Sequence, residues 1–144
     1  MDIIRRNTDY ALRLMTLLVD FSQQKESLSA RRLSEKAAVP YPLTCKLLQQ
    51  LQKNEIVKSA MGPKGGYFLA RSPSQISFLD VIQTIQGPIS INRCFMGRYK
   101  CPLKGKCPLH RKLIGLQNGI IDSLQNTKLS ELVPNQGILP ETLE

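Results

Sequence analysis

Between residues 93 and 110 the chain reads RCFMGRYKCPLKGKCPLH. Three of its four cysteines, Cys94, Cys101 and Cys107, stand there with six and five residues between them, and the single histidine, His110, follows three positions after the last. Thiols bind soft metals, form disulfides or exchange with other thiols, and imidazole is a common metal ligand beside them. Spacing sorts these options in part. Zinc knuckles grip one ion with thiols usually about two to four residues apart, and no such pair occurs here. Widely separated thiolates with a fourth ligand from elsewhere suit a larger inorganic core such as an iron-sulfur cluster. Zinc and reversible thiol oxidation stay open as alternatives.

Charge points the same way. From Val81 to Ile121 there is no Asp or Glu, while Arg93, Arg98, Lys100, Lys104, Lys106, Arg111 and Lys112 all carry positive charge. A thiolate-ligated cluster is anionic, so cations around it favour the ligated state. The plainer reading is that the cations face a polyanion and the cysteines are small packing residues. Over the whole chain of 144 residues, 20 Lys+Arg against 11 Asp+Glu give a net charge of +9, which suggests nucleic acid ahead of a membrane surface. No apolar run is long enough to span a bilayer and no leader-like region precedes a cleavage site, so a cytoplasmic protein is expected, where structural disulfides are disfavoured. One histidine, no paired carboxylates and no phosphate-binding glycine loop argue against an enzyme.

The elements that must position these residues follow from periodicity. Tyr10, Ala11, Leu14, Met15, Leu18 and Phe21 fall at helical spacing behind Asn7 and Thr8, either of which can cap. Ser29 is the expected cap of a short helix with Leu33 and Ala37 inward, stopping before Pro40. A second short helix carries Pro42 in its first turn and buries Leu43, Leu47, Leu48 and Leu51. EIVKSA and GYFLAR read as two strands joined by the tight MGPKGG turn. Helix, turn, helix and hairpin in that order make a winged helix-turn-helix. SFLDVIQTIQG gives another helix before the cysteine loop, and Leu109, Leu113, Leu116, Ile120 and Leu124 trace one apolar seam on a long last helix.

The expected fold class is therefore mainly α with a small β-hairpin wing, a winged helix-turn-helix domain followed by a long C-terminal helix. Residues 1–72 are expected to form the winged helix-turn-helix, 73–133 the linker helix, cysteine loop and long last helix, and 134–144 a disordered tail. The helix after the turn is expected to present Tyr41, Pro42, Thr44, Cys45, Lys46 and Gln49 outward. Thr44 and Gln49 would address base edges, Arg5, Arg6, Arg31, Arg32 and Lys46 phosphates, and Lys64 the backbone or minor groove from the wing tip. Cys45, far from the other cysteines, reads as a packing or DNA-facing residue.

NTDYALRLM, LLQQLQKNEIVKS, GPKGGYFLAR, DVIQTIQG and the three-cysteine loop, in this order from about Ile4 to Val133, resemble the bacterial winged-helix regulators of the IscR, NsrR and RirA group. The resemblance implies a homodimeric transcription factor on palindromic double-stranded DNA, with the long last helix serving dimerisation and an iron-sulfur cluster on Cys94, Cys101 and Cys107 whose presence or damage changes DNA affinity. Cluster type, 2Fe–2S or 4Fe–4S, is left open. It implies His110 as fourth ligand by similarity to IscR-like members, or Asp9 of the other subunit by similarity to NsrR-like ones. Cys45 and Met61 stand where some of these regulators carry a glutamate and an arginine, and the first cysteine gap is one residue longer than in several of them.

Overall fold

A computed structural model describes residues 2–132, so the expected tail at 134–144 lies outside the described residues. Helices α1 (Arg6–Gln23), α2 (Ala30–Ala37) and α3 (Tyr41–Lys53) come first. Strands β1 (Val57–Ala60) and β2 (Gly66–Leu69) follow, then α4 (Phe78–Gln86) and α5 (Pro108–Asn126). This is a winged helix-turn-helix with a long C-terminal helix.

The apolar face of α1 forms one wall of the main core. Ala11, Leu14, Met15, Leu18 and Val19 are buried against Leu33 of α2, Leu47, Leu48 and Leu51 of α3, and Ile56 and Val57 at the hairpin. The start of α1 differs from expectation. Neither Asn7 nor Thr8 caps it: the helix begins at Arg6, Arg5 makes no side-chain cap, and Thr8 is fully buried. The Ser29 side chain does cap α2, accepting the Arg32 amide at 3.2 Å. The turn into α3 places Ala38 in the left-handed region at φ 52°, and α3 then opens with Pro42 in its first turn, where no backbone donor is needed.

The hairpin is antiparallel, with Val57 opposite Leu69 and Ala60 opposite Gly66. The GG pair in its loop has a packing cause. Leu28 and Tyr67 exchange backbone hydrogen bonds at 3.0 and 2.7 Å, which draws the wing against the strand-like segment before α2. A Cβ on Gly66, whose φ is 144°, would stand 2.5 Å from the Leu28 carbonyl carbon.

Helix α4 starts from a reciprocal cap in which Ser77 and Asp80 each bond the other's amide, at 2.8 and 3.1 Å. Beyond α5 the chain turns at Leu129–Glu131 and returns Leu129 to the main core, with backbone bonds from Phe78 to Thr127 and from Leu129 to Ile76. A second, smaller apolar cluster joins α4 to α5 through Leu79, Ile82 and Ile89, with Ile121 and Leu124 packed on it. Helix α5 is otherwise thinly covered, and Gln117 is its one buried residue.

Gly66→Ala is expected to cost at least about 1 kcal/mol in a urea unfolding experiment, because a left-handed backbone and a backbone clash act together. It should also loosen the wing, read as faster hydrogen exchange at the Tyr67 amide.

Candidate functional site

Two faces carry the candidate residues. On the first, Tyr41, Pro42, Lys46 and Gln49 of α3 are exposed, as are Arg31 and Arg32 of α2 and Lys64 at the wing tip. Arg31 lies over the Tyr41 ring, 4.7 Å from its centroid, and the Lys64 carbonyl accepts the Ser27 hydroxyl at 2.7 Å. Arg32 extends over Phe21 at 5.8 Å. The Cys45 side chain stands one turn after Tyr41. Its hydrogen bond and its charge hold the Tyr41 phenol above its ordinary value.

Thr44 is corrected. It is 0% exposed and its hydroxyl points back to the Val39 carbonyl at 3.4 Å, so it secures the turn between α2 and α3 and does not face outward. The outward candidates on α3 thus reduce to Tyr41, Pro42, Lys46 and Gln49, with Cys45 half-buried beside them. Arg5 and Arg6 lie apart, on an exposed arm at the start of α1.

The second face is the loop between α4 and α5. Cys94, Cys101, Cys107 and His110 line one cavity of about 390 Å³, together with Met96, Tyr99, Leu103 and Leu109. All three thiols are free and half-buried. His110 Nδ1 is 3.4 Å from Cys94 Sγ, and the imidazole stacks at a tilt on Phe95, centroids 5.1 Å apart. Arg93 reaches over Tyr99 at 5.1 Å. Cys107 is the residue before α5 and Pro108 opens the helix, which puts His110 in the first turn facing back into the loop. Among the described residues no three His, Cys, Asp or Glu side chains stand close enough to hold a single metal ion. The four donors share a cavity but are not drawn into a mononuclear site. Asp9 does not line this cavity within the chain; its carboxylate is paired with Arg13 at 2.8 Å on α1.

One residue that the sequence does not mark fixes the root of this loop. Gln117 sits among the apolar positions of α5 and is buried. Its Nε2 donates to the Ile89 carbonyl at 2.7 Å and its Oε1 accepts the Ile91 amide at 2.9 Å, clamping the segment that enters the loop. Its clearest signal is a polar residue one helical turn from Leu113, but no sequence pattern shows that its partners lie 26 and 28 residues back.

Residues 4–135 match the family model described as Rrf2, iron-dependent transcriptional regulator. The chain belongs to the Rrf2 family. It is 32% identical over 130 residues to the HTH-type transcriptional regulator IscR of Pectobacterium carotovorum, covering 90% of this chain and 78% of that protein. Its fold is similar to CymR, described as the global cysteine regulator of B. subtilis, with a TM-score of 0.78 and 25% identity over 95% of this chain and all of that one. It is also similar to an oxidized form of CymR from Staphylococcus aureus, with a TM-score of 0.71 and 25% identity over 96% of this chain and all of that one.

As an Rrf2 protein the chain is a transcriptional regulator, and its named relatives are regulators and not enzymes. No helix among the described residues is long and apolar enough to cross a membrane.

Gln117→Leu keeps the volume of this Rrf2 side chain and leaves the Ile89 carbonyl and Ile91 amide without partners. The expected loss is about 1–3 kcal/mol by urea unfolding. Amide exchange at Ile91 should rise more than exchange in α3.

Proposed function

We propose that the chain is a homodimeric, DNA-binding transcriptional regulator whose operator affinity is controlled by an iron-sulfur cluster on Cys94, Cys101 and Cys107, with His110 as the nearest fourth donor. The observation that carries this reading is the shared cavity. Three free thiols and an imidazole open onto one space, inside a stretch that has no acidic residue and seven cations. Such a donor set is too open for one ion but suits a larger thiolate-ligated core. When bound, the cluster would supply a group that iron supply, oxidants or nitric oxide can alter. The similarity to IscR supports the same reading.

DNA binding rests on the exposed face of α3 and its surroundings. Lys46 and Arg31 are free to meet phosphates, Gln49 and Tyr41 to reach base edges, and Lys64 to approach from the wing. A two-fold dimer would present two such faces to a palindromic operator. The dimer is supported by the open side of α5, where Leu109 and Leu116 are each 61% exposed within one chain. Asp9 on the partner subunit belongs to the same proposal as the alternative fourth ligand.

A second reading keeps the DNA-binding role and replaces the cluster by thiol oxidation or zinc. The likeness to an oxidized form of CymR favours its thiol-oxidation version. An iron-sulfur carrier without DNA affinity is the reading furthest from the family assignment, and salt-dependent binding to promoter fragments removes it.

The test is an anaerobic preparation with its visible spectrum and its iron, sulfide and zinc content. The cluster reading expects a coloured protein with matched iron and sulfide, both lost in Cys101→Ala. A colourless protein that stays so after reconstitution, with stoichiometric zinc or a reversible disulfide, transfers the role to the second reading. Leu116→Glu is expected to shift the mass from dimer to monomer in sedimentation while leaving thermal unfolding of the protomer core nearly unchanged, since the side chain is largely exposed within one chain.

A further inference from the structure

The arm that leads into α1 is tethered by a side chain from α4, close in space and far along the chain. Gln86, the last residue of α4, accepts the Arg5 amide at 3.0 Å and the Thr8 hydroxyl at 2.7 Å through Oε1. Its Nε2 donates to the Ile3 carbonyl at 2.8 Å. A backbone donor on one side and a backbone acceptor on the other admit one orientation of the carboxamide. These partners are 78 to 83 residues away in sequence. The start of α1 already takes hold of Arg5, whose carbonyl accepts the Thr8 and Asp9 amides at 2.9 Å, and the Gln86 side chain adds a long-range tether that fixes Ile3 and the Arg5 amide against α4.

The arm carries two cations with nothing else assigned to them. Arg5 and Arg6 are exposed, and the ion pair found among the described residues is Asp9 with Arg13. An untethered segment with two arginines would lose conformational freedom on meeting a polyanion. An arm already held at Ile3 and Arg5 has less to lose, and its guanidinium groups start from a defined place.

We propose that Gln86 is a positioning residue for DNA binding, holding the Arg5–Arg6 arm where both guanidinium groups meet backbone phosphates. The inference rests on the DNA-binding reading above. Its signature is electrostatic. A residue that only stabilises the fold would alter the melting temperature and leave the number of neutralised phosphates unchanged. A residue that places two cations on phosphates sets part of the salt dependence, which grows with the number of phosphates neutralised.

The experiment measures affinity of the full chain for a short mixed-sequence duplex across a salt series. Gln86→Met, similar in size and unable to make the three bonds, is expected to reduce the slope of log affinity against log salt by about 2 to 4 for the dimer, whose two arms together carry four guanidinium groups. It should weaken binding about tenfold at moderate salt. The double variant Arg5→Ala, Arg6→Ala should show the same reduction, and adding Gln86→Met to it should change little further. The proposal is overturned if the arginine variant lowers the slope and Gln86→Met does not, because the arm then finds phosphates unaided. It is also overturned if the arginine variant leaves the slope unchanged. A salt-dependent wild type in either case leaves the DNA-binding reading standing, whereas a wild type without DNA affinity removes both. Should Gln86→Met fail to fold, Thr8→Val removes one of the three bonds with little change of shape. It is expected to lower the slope part of the way, and an unchanged slope there counts against the proposal.

Discussion

Burial of one face of α1 is the constraint on which the other elements depend. Leu14, Met15 and Leu18 have essentially no solvent contact, and the surfaces that cover them come from α2, α3, the hairpin root and the returning Leu129. Each such side chain contributes about 1.5–3 kcal/mol on burial. No two-helix piece of this chain could supply that alone, so the turn between α2 and α3 takes its angle from α1. Ala38 accepts a left-handed backbone and Thr44 turns its hydroxyl inward because the helices on either side are pinned to the same wall. The exposed edge of α3 is then rigid as a by-product of core packing.

The cysteine side of the molecule has no comparable wall. The loop from Arg93 to Lys106 contains no buried residue, and α5 touches α4 through a cluster of only three buried side chains. Its order comes from directional contacts: the Gln117 clamp on Ile89 and Ile91, the stack of Phe95 on His110, and the Arg93–Tyr99 pair. Contacts of this kind open at lower free energy than a packed core. A tightly packed helical core and a loosely held cysteine loop therefore coexist in one chain, on either side of the Gly87–Pro88 turn.

What the sequence made legible was what obeys short periods. Positions three and four apart located α1, α2, α3, α4 and α5, Ser29 announced its own helix, and GPKGGY announced the wing. The three cysteines and His110 were legible as a set because they lie within seventeen residues, and they do share a cavity. Failures have a common cause. Thr8, Thr44 and Gln117 are polar residues whose partners are a carbonyl, an amide or a carboxamide on another element. Periodicity assigns polar residues outward, and only the assembled fold reveals that a specific partner waits inside. Asn7 and Thr8 were plausible caps by type, yet the carboxamide supplied by Gln86 from α4 serves the arm instead, and the helix starts before them.

The seam on α5 shows how a covering surface can matter to the loop. Leu109 and Leu116 stay open, and Gly115 and Gly119 have nothing within 4 Å of where a Cβ would stand, so this side of the helix leaves two leucines and two close-approach positions, with Lys112 between the leucines, uncovered within one chain. In the proposed dimer a second α5 would bury those leucines from both chains, at about 1.5–3 kcal/mol each, against the cost of association. Leu109 also lines the cysteine cavity, one position from His110 and two from Cys107. Covering the seam would thus restrain the first turn of α5, where one thiol and the imidazole are anchored, and contraction of the loop around a ligand would act on the same turn from the other side. Dimer contact and ligation would meet at Leu109, and through the Gly87–Pro88 turn they would reach α4, whose Gln86 holds the arm of α1.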